Sequence, residues 1–243
     1  MIKLLEILAL LLLPAFLLLD IAYGYRRARR ARGWRLRGFV VSTLTVAFSM
    51  GVALAWGTLL EGHGLFDLSG LGVWLGALAA VLVYELGHYW YHRTMHRVGR
   101  FWRMSHQMHH SAETLDAFGA YYLHPIDTLM FTTIQSLVFF PLLGVAPEAG
   151  VVAAAFLAFN AAFQHADLRT PRWLGYFVQR PESHLLHHQR GVHGYNYADL
   201  PLWDMVFGTF RNPPAGYDAE AGLGHGASAR LGALLLGRNV ERA

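Results

Sequence analysis

The stretch HYWYHRTMHRVGRFWRMSHQMHH, residues 88–110, decides how this chain is read. It holds six of the fourteen histidines and ends in HxxHH (His106, His109, His110), a pattern that recurs as His184, His187 and His188. Residues at i, i+3 and i+4 share one face of a helix, so each HxxHH predicts a helix face carrying three imidazoles. Outward from there, His92 and His96 stand four apart at the end of one apolar run, and His165 closes another.

A neutral imidazole binds borderline metals such as Fe, Zn, Cu and Ni, and a site made of imidazoles alone leaves the ion most of its positive charge. The candidate ligands are His92, His96, His106, His109, His110, His165, His184, His187 and His188. Nine are too many for one ion, whereas two ions with open positions fit the count, and open positions point to catalysis. The chain has no cysteine, which removes thiolate zinc sites, Fe–S clusters and covalent haem. HExxH is absent, because Arg93 follows His92 and Tyr89 follows His88, so a zincin protease would lack its general base. A bis-histidine haem would leave most of the cluster without a purpose.

The chain around these motifs is apolar: 54% of its 243 residues are hydrophobic and 15% charged. The run from Ile2 to Tyr25 is too long for a signal peptide, lacks a clear A-x-A site and leads straight into arginines, so it reads as a retained span. Arg26, Arg27, Arg29, Arg30, Arg32, Arg35 and Arg37 form a loop that the positive-inside rule places in the cytoplasm. The net charge of +4 is explained this way and not by nucleic acid. Spans follow from about 38 to 60 and 71 to 91, separated by the loop Glu61 to Gly70 without Lys or Arg. Thr128 to Val145 and Gly150 to His165 read as a helical hairpin that dips into or crosses the bilayer. The last residues, ARLGALLLGR among them, suggest a short surface helix.

The resulting expectation is an all-α integral membrane bundle of about 4–5 spans, with a cytoplasmic helical cap that carries every histidine cluster. It divides into transmembrane helices with the Arg-rich loop (1–70), a di-metal catalytic domain (71–212) and a C-terminal tail (213–243).

The order HRxxH (His92 to His96), HxxHH (His106 to His110), HP (His124, Pro125), a single His at a span end (His165), HxxHH (His184 to His188) and NYxxxxxWDxxFGT (Asn196 to Thr209) resembles the fatty acid hydroxylase and sterol desaturase superfamily. The resemblance covers roughly residues 80 to 212 and leaves the first two spans unassigned beyond being apolar. It implies a membrane-bound di-iron enzyme, with zinc able to occupy the site on isolation, that uses O2 and supplied electrons to hydroxylate or desaturate an aliphatic carbon of a lipid. It also assigns the first motif to His92 and His96, leaving His88 outside, and aligns Glu85 with an acidic residue seven positions before the first ligand. A further histidine found in some members is here Arg169, so the tenth ligand is open to His88, His124, His193 or a water.

Asp127, Asp167, Glu182 and Asp204 are candidates to accept the second ring N–H of a ligand. Asn196, Trp203, Asp204, Gly208 and Thr209 read as a turn that locks the cap. No flavin, nicotinamide or cytochrome b5 motif is present, so the implied partners are a lipid, the membrane and a separate ferredoxin or cytochrome with its reductase. Arg97, Arg100, Arg103, Arg180 and Arg190 are candidates for its docking face or for binding lipid headgroups. The implied location is a bacterial inner membrane with the histidines on the cytoplasmic face. The reading from a different class is a His-rich membrane metal store or carrier, against which stand spans almost free of ionisable residues.

Overall fold

The computed structural model describes residues 2–24 and 31–241. Its long elements are α1 (Ile2–Tyr23), α2 (Trp34–Leu59), α3 (Gly72–Arg97), α6 (Pro125–Leu137) and α7 (Pro147–His165). Short helices carry the rest: α4 (Gly99–Phe101), α5 (Gln107–His110), α8 (Pro181–His188), α9 (Pro201–Val206) and α10 (Leu231–Leu235). Among the described residues there is no β-strand, only the isolated bridge between Gln189 and Ala221.

Three stretches, Trp34–Leu59, Ser69–Arg97 and Pro125–Leu142, are long and apolar enough to cross a membrane, and Leu10–Tyr23 is a shorter apolar helix. Their outer surfaces keep large side chains exposed: Leu10 and Leu18 on α1, Leu44 and Leu54 on α2, Trp74 and Leu78 on α3. Water would not tolerate so continuous an apolar surface, and lipid would. At 1.5 Å per residue the 26 residues of α3 extend about 39 Å, more than a hydrocarbon core of about 30 Å needs. The excess carries His92 and His96 to the polar end.

The spans are held by close packing of small residues. α3 lies against α7, where Ala77, Ala80, Val81 and Tyr84 meet Ala149, Ala153 and Leu157. A Cβ added at Gly76 would stand 3.0 Å from the Cβ of Ala149, which shows how near the two backbones come. α1 also packs on α7, and α2 on α6.

Several boundaries differ from expectation. Arg26, Arg27, Arg29 and Arg30 lie outside the described residues. Arg35 and Arg37, expected in a loop, belong to the first turn of α2, because Trp34 starts that helix from a buried position where its Nε1 donates to Asp116 Oδ1 at 2.9 Å. α3 continues past Tyr91 to Arg97. The chain after 212 folds back over the α4–α5 helix: Tyr122 Oη donates to the Ser228 carbonyl at 2.6 Å, Gln107 Nε2 to the Arg238 carbonyl at 2.8 Å, and Leu234 packs into the cluster of Trp34 and Met108.

Candidate metal centre

All nine candidate histidines come together at the polar end of the bundle, in two groups: His92, His96, His106, His110 and His187 in one, and His109, His165, His184 and His188 in the other. The ligand atoms within each group lie within 4.8 Å of one another. Each HxxHH is shared between the groups in the same way. Its first and last imidazoles, at i and i+4, enter one group, and the middle one, at i+3, enters the other. At 3.6 residues per turn, positions i and i+4 differ by about 40° in direction, while i+3 and i+4 differ by about 100°. α5 and the turn before it send His106 and His110 to the five-membered group and His109 to the four-membered one; α8 sends His187 to the first and His184 and His188 to the second. At the seam the rings of His110 and His188 stack, centroids 4.0 Å apart.

Between α4 and α5 the helix passes through a π-turn, Trp102–His106, which carries an inserted residue's worth of rotation just where His106 leaves the helix. α8 is started by Pro181 at its N-terminus, where a missing N–H costs nothing.

The spacing of the ring nitrogens fits a metal ion. Two nitrogens bound at about 2.1 Å and at right angles stand about 3.0 Å apart. In the first group Nε2 of His92 lies 2.8 Å from that of His106 and 3.2 Å from that of His96, and His110 and His187 are 3.1 Å apart. In the second, the contacts His109–His165, His165–His184 and His184–His188 are each 3.1 Å.

The second ring nitrogens show which tautomers are present. His92 Nδ1 donates to the Tyr197 carbonyl at 2.6 Å, His187 Nδ1 to the Tyr195 carbonyl at 2.8 Å and His165 Nδ1 to the Ala161 carbonyl at 2.7 Å. His106 Nδ1 faces Asp127 Oδ2 at 2.6 Å. With the proton on Nδ1, a neutral ring presents a bare lone pair at Nε2. With both rings neutral and protonated on Nδ1, His92 and His106 would point lone pairs at each other, a contact that a cation between them turns from repulsive to favourable. A proton could bridge that one pair but not the other nitrogens crowding the same point. The donor set, all imidazole and no thiolate, suits Fe or Zn.

Burial, and after it the neighbouring imidazoles, pushes His109, His110, His184 and His188 well below the ordinary histidine range. They stay neutral at neutral pH, the form that ligates. Phe131 of α6 stands beside the first group, its ring edge-on to His88 at 4.9 Å and to His92 and His106 at 6.4 Å. A cavity of about 240 Å³ lined by His96, Arg97, Gly99, Trp102, His193 and Glu241 borders the first group at His96.

The other candidates take different places. His124 caps α6, its Nδ1 accepting from Ile126 N at 3.1 Å, and lies outside both groups. His193 is a neighbour of the first group, its ring 5.7 Å from that of His96 and 5.8 Å from that of His110. His88 and Glu85 form a separate cluster with Asp199. Of the carboxylates expected to hold a ligand's N–H, Asp127 does so. Asp204 instead accepts from Tyr197 N and Ala198 N, both at 2.8 Å, and from Thr209 Oγ1 at 2.6 Å, while Glu182 accepts from Thr170 N at 2.8 Å and Thr170 Oγ1 at 2.6 Å. Arg180 is corrected as a docking residue: it is fully buried and paired with Glu182 at 2.9 Å, so no partner can reach it.

Two contributions were not foreseen. Asn196 adopts a left-handed backbone, φ 58°, stabilised by side-chain bonds to Ser183 O and Arg211 O, both 2.9 Å. That turn aims the flanking Tyr195 and Tyr197 carbonyls at His187 and His92, so the terminal motif orients two of the candidate histidines. Asp20, at the end of α1, accepts from Ala117 N at 2.5 Å and Asp167 N at 2.8 Å, tying the first helix to loops beside His109 and His165. A carboxylate late in a leucine-rich run was the signal for it.

A helical protein with membrane-length spans and two convergent imidazole groups at one end is the class these features define. The fatty acid hydroxylase family model matches residues 77–209, more than half of the chain, and the chain belongs to that family. It is similar to very-long-chain aldehyde decarbonylase GL1-9 of Oryza sativa subsp. indica (31% identity over 140 residues, 54% of this chain and 53% of the relative). It is also similar to sphinganine C4-monooxygenase 1 of Arabidopsis thaliana (28% over 137 residues, 55% and 53%) and to ornithine lipid hydroxylase OlsE of Rhizobium tropici (28% over 189 residues, 76% and 56%). The chain spans about half the length of these curated relatives. No solved structure matches it significantly.

Proposed function

We propose that the chain is a membrane-bound di-iron oxygenase that hydroxylates an aliphatic carbon of a lipid, with O2 as oxidant and electrons from a separate ferredoxin or cytochrome. The observation that carries the reading is the convergence of nine imidazoles into two groups whose nitrogens are spaced as ligands of one ion each. The five-membered group is His92, His96, His106, His110 and His187; the four-membered group is His109, His165, His184 and His188.

When bound, a pair of iron ions supplies the redox chemistry that activates O2. The chain's own residues hold the rings and exclude water. Asp127 and the carbonyls of Ala161, Tyr195 and Tyr197 keep protons on Nδ1, so that Nε2 remains available. Burial keeps His109, His110, His184 and His188 neutral, and Phe131 presents an apolar wall where an acyl chain would approach from the spans. The cavity beside His96 and Arg97, with Arg100 and Arg103 next to it in sequence, suits a donor on the opposite side. The positive-inside rule favours a cytoplasmic position for that side.

Hydroxylation is favoured over desaturation because relatives are named as monooxygenases and hydroxylases of sphinganine and ornithine lipid. Those names favour a lipid with a polar amino-bearing headgroup. A metal carrier would exchange ions and leave lipids unchanged. Comparing lipid extracts of cells with and without the chain by mass spectrometry separates the readings: one added oxygen supports hydroxylation, loss of two hydrogens supports desaturation, and an unchanged lipid profile overturns both.

A further inference from the structure

The cluster of Glu85, His88 and Asp199 lies beside the five-imidazole group but is not part of it. Glu85 and His88 come from one face of α3, a turn before His92; Asp199 comes from the loop that enters α9. The side chains of Glu85, His88 and Asp199 are 0%, 7% and 14% exposed, so two carboxylates are held away from water. His88 Nδ1 stands 3.8 Å from Glu85 Oε2 and 3.9 Å from Asp199 Oδ2. Neither distance is a hydrogen bond. His88 Nδ1 and Glu85 Oε1 are both buried without a hydrogen-bond partner.

With His88 Nδ1 3.8 and 3.9 Å from the two oxygens and all three ligand atoms within 4.8 Å of one another, a point about 2.2–2.5 Å from each lies between them, close to the reach of a divalent cation's bonds to carboxylate oxygen and imidazole nitrogen. Two carboxylates and a neutral imidazole carry a charge that a divalent cation cancels, whereas a single proton on His88 cancels half of it. Each buried carboxylate left uncompensated carries a desolvation penalty that a nearby cation offsets. We propose that Glu85, His88 and Asp199 form a third metal site, taking a first-row divalent cation such as Zn2+, Mn2+ or Fe2+.

The mixed nitrogen and oxygen donors distinguish it from the two all-imidazole groups, and its place suggests a structural task. The His88 ring is stacked on that of His92, centroids 5.4 Å apart and 3° from parallel. Asp199 follows two residues after Tyr197, whose carbonyl holds His92 Nδ1. Gln164 of α7 donates to Asp199 Oδ1 at 2.7 Å, and Asp199 N donates to Glu85 Oε2 at 2.9 Å. An ion here fastens α3, the loop before α9 and, through Gln164, α7 behind His92.

The test is anomalous diffraction at the zinc edge from crystals of the full chain loaded with Zn2+, together with metal analysis of the same protein. Peaks are expected in both imidazole groups and a third between Glu85, His88 and Asp199. Peaks in the imidazole groups alone overturn the third site and leave the proposed function standing; a peak at the carboxylate cluster alone supports this site and overturns the two-centre reading. Glu85→Gln and Asp199→Asn keep an acceptor for each hydrogen bond that the carboxylates receive and remove the charge. Each should lower the zinc content from three per chain to two while the imidazole peaks remain, and an unchanged content of three in both would overturn the assignment.

Discussion

His92 and His106 face each other Nε2 to Nε2 at 2.8 Å, with the Nδ1 of the first committed to the Tyr197 carbonyl and that of the second to Asp127. Left without a metal ion or a bridging proton, two facing lone pairs repel, and one proton does not serve the other ring nitrogens crowded at the same point. Chelating the metal should therefore lower the melting temperature of the purified chain, and returning Fe2+ or Zn2+ should restore it as the free metal concentration rises above Kd. A melting temperature indifferent to chelator would contradict the arrangement.

Asp127 accepts from Tyr91 Oη at 2.7 Å as well as from His106. Asp127→Ala removes the group that fixes the His106 ring and should weaken metal binding by about 10–100-fold. Asp127→Asn, which keeps an oxygen for the His106 N–H, should lose less. Metal titration of the two variants checks the order.

The division of each HxxHH between two groups predicts paired phenotypes. His110→Ala and His187→Ala should deplete one centre, His109→Ala and His184→Ala the other, and each should abolish lipid oxidation while the protein still inserts in the membrane. Combining His109→Ala with His187→Ala should deplete both. Metal analysis of membranes reads this directly, and full activity in any of the four single variants would refute the assignment of that ligand.

Asp20→Ala leaves the buried Ala117 and Asp167 amides without the acceptor they have in the wild type. Each costs about 1–3 kcal/mol. The variant should melt earlier and hold less metal in the group containing His109 and His165, which a thermal melt followed by metal analysis measures.

The depressed histidines give the pH dependence its sign. In the unfolded chain a histidine protonates near about 6.5, whereas burial keeps His109, His110, His184 and His188 neutral well below that in the fold. Their contribution to stability is fully present above about pH 6.5 and is lost as pH falls toward the folded values. Melts of metal-free protein should show a steady decline below about pH 6.5, and a flat profile would contradict it.

The sequence exposed the histidines more readily than their grouping. Two HxxHH motifs and His92, His96 and His165 are visible as spacing, and so are the apolar spans that bring them to one end. The five-and-four division was hidden, because a helix face wide enough for three imidazoles also has two directions, about 100° apart between i+3 and i+4. Asp127 was one of four candidate carboxylates and could not be separated from Asp167, Glu182 and Asp204, because their partners are set by long-range folding. The carbonyls of Tyr195 and Tyr197 were invisible, since backbone groups leave no letter in a sequence; Asn196, able to turn left-handed, was their only trace.

The most direct test of lipid oxidation by O2 is mass spectrometry of lipids from membranes containing the chain, incubated under isotopically heavy O2 with an electron donor. The account predicts a hydroxylated lipid carrying the heavy isotope, absent when His109 or His187 is replaced by alanine. A product whose oxygen comes from water, or lipids identical with and without the chain, would contradict it.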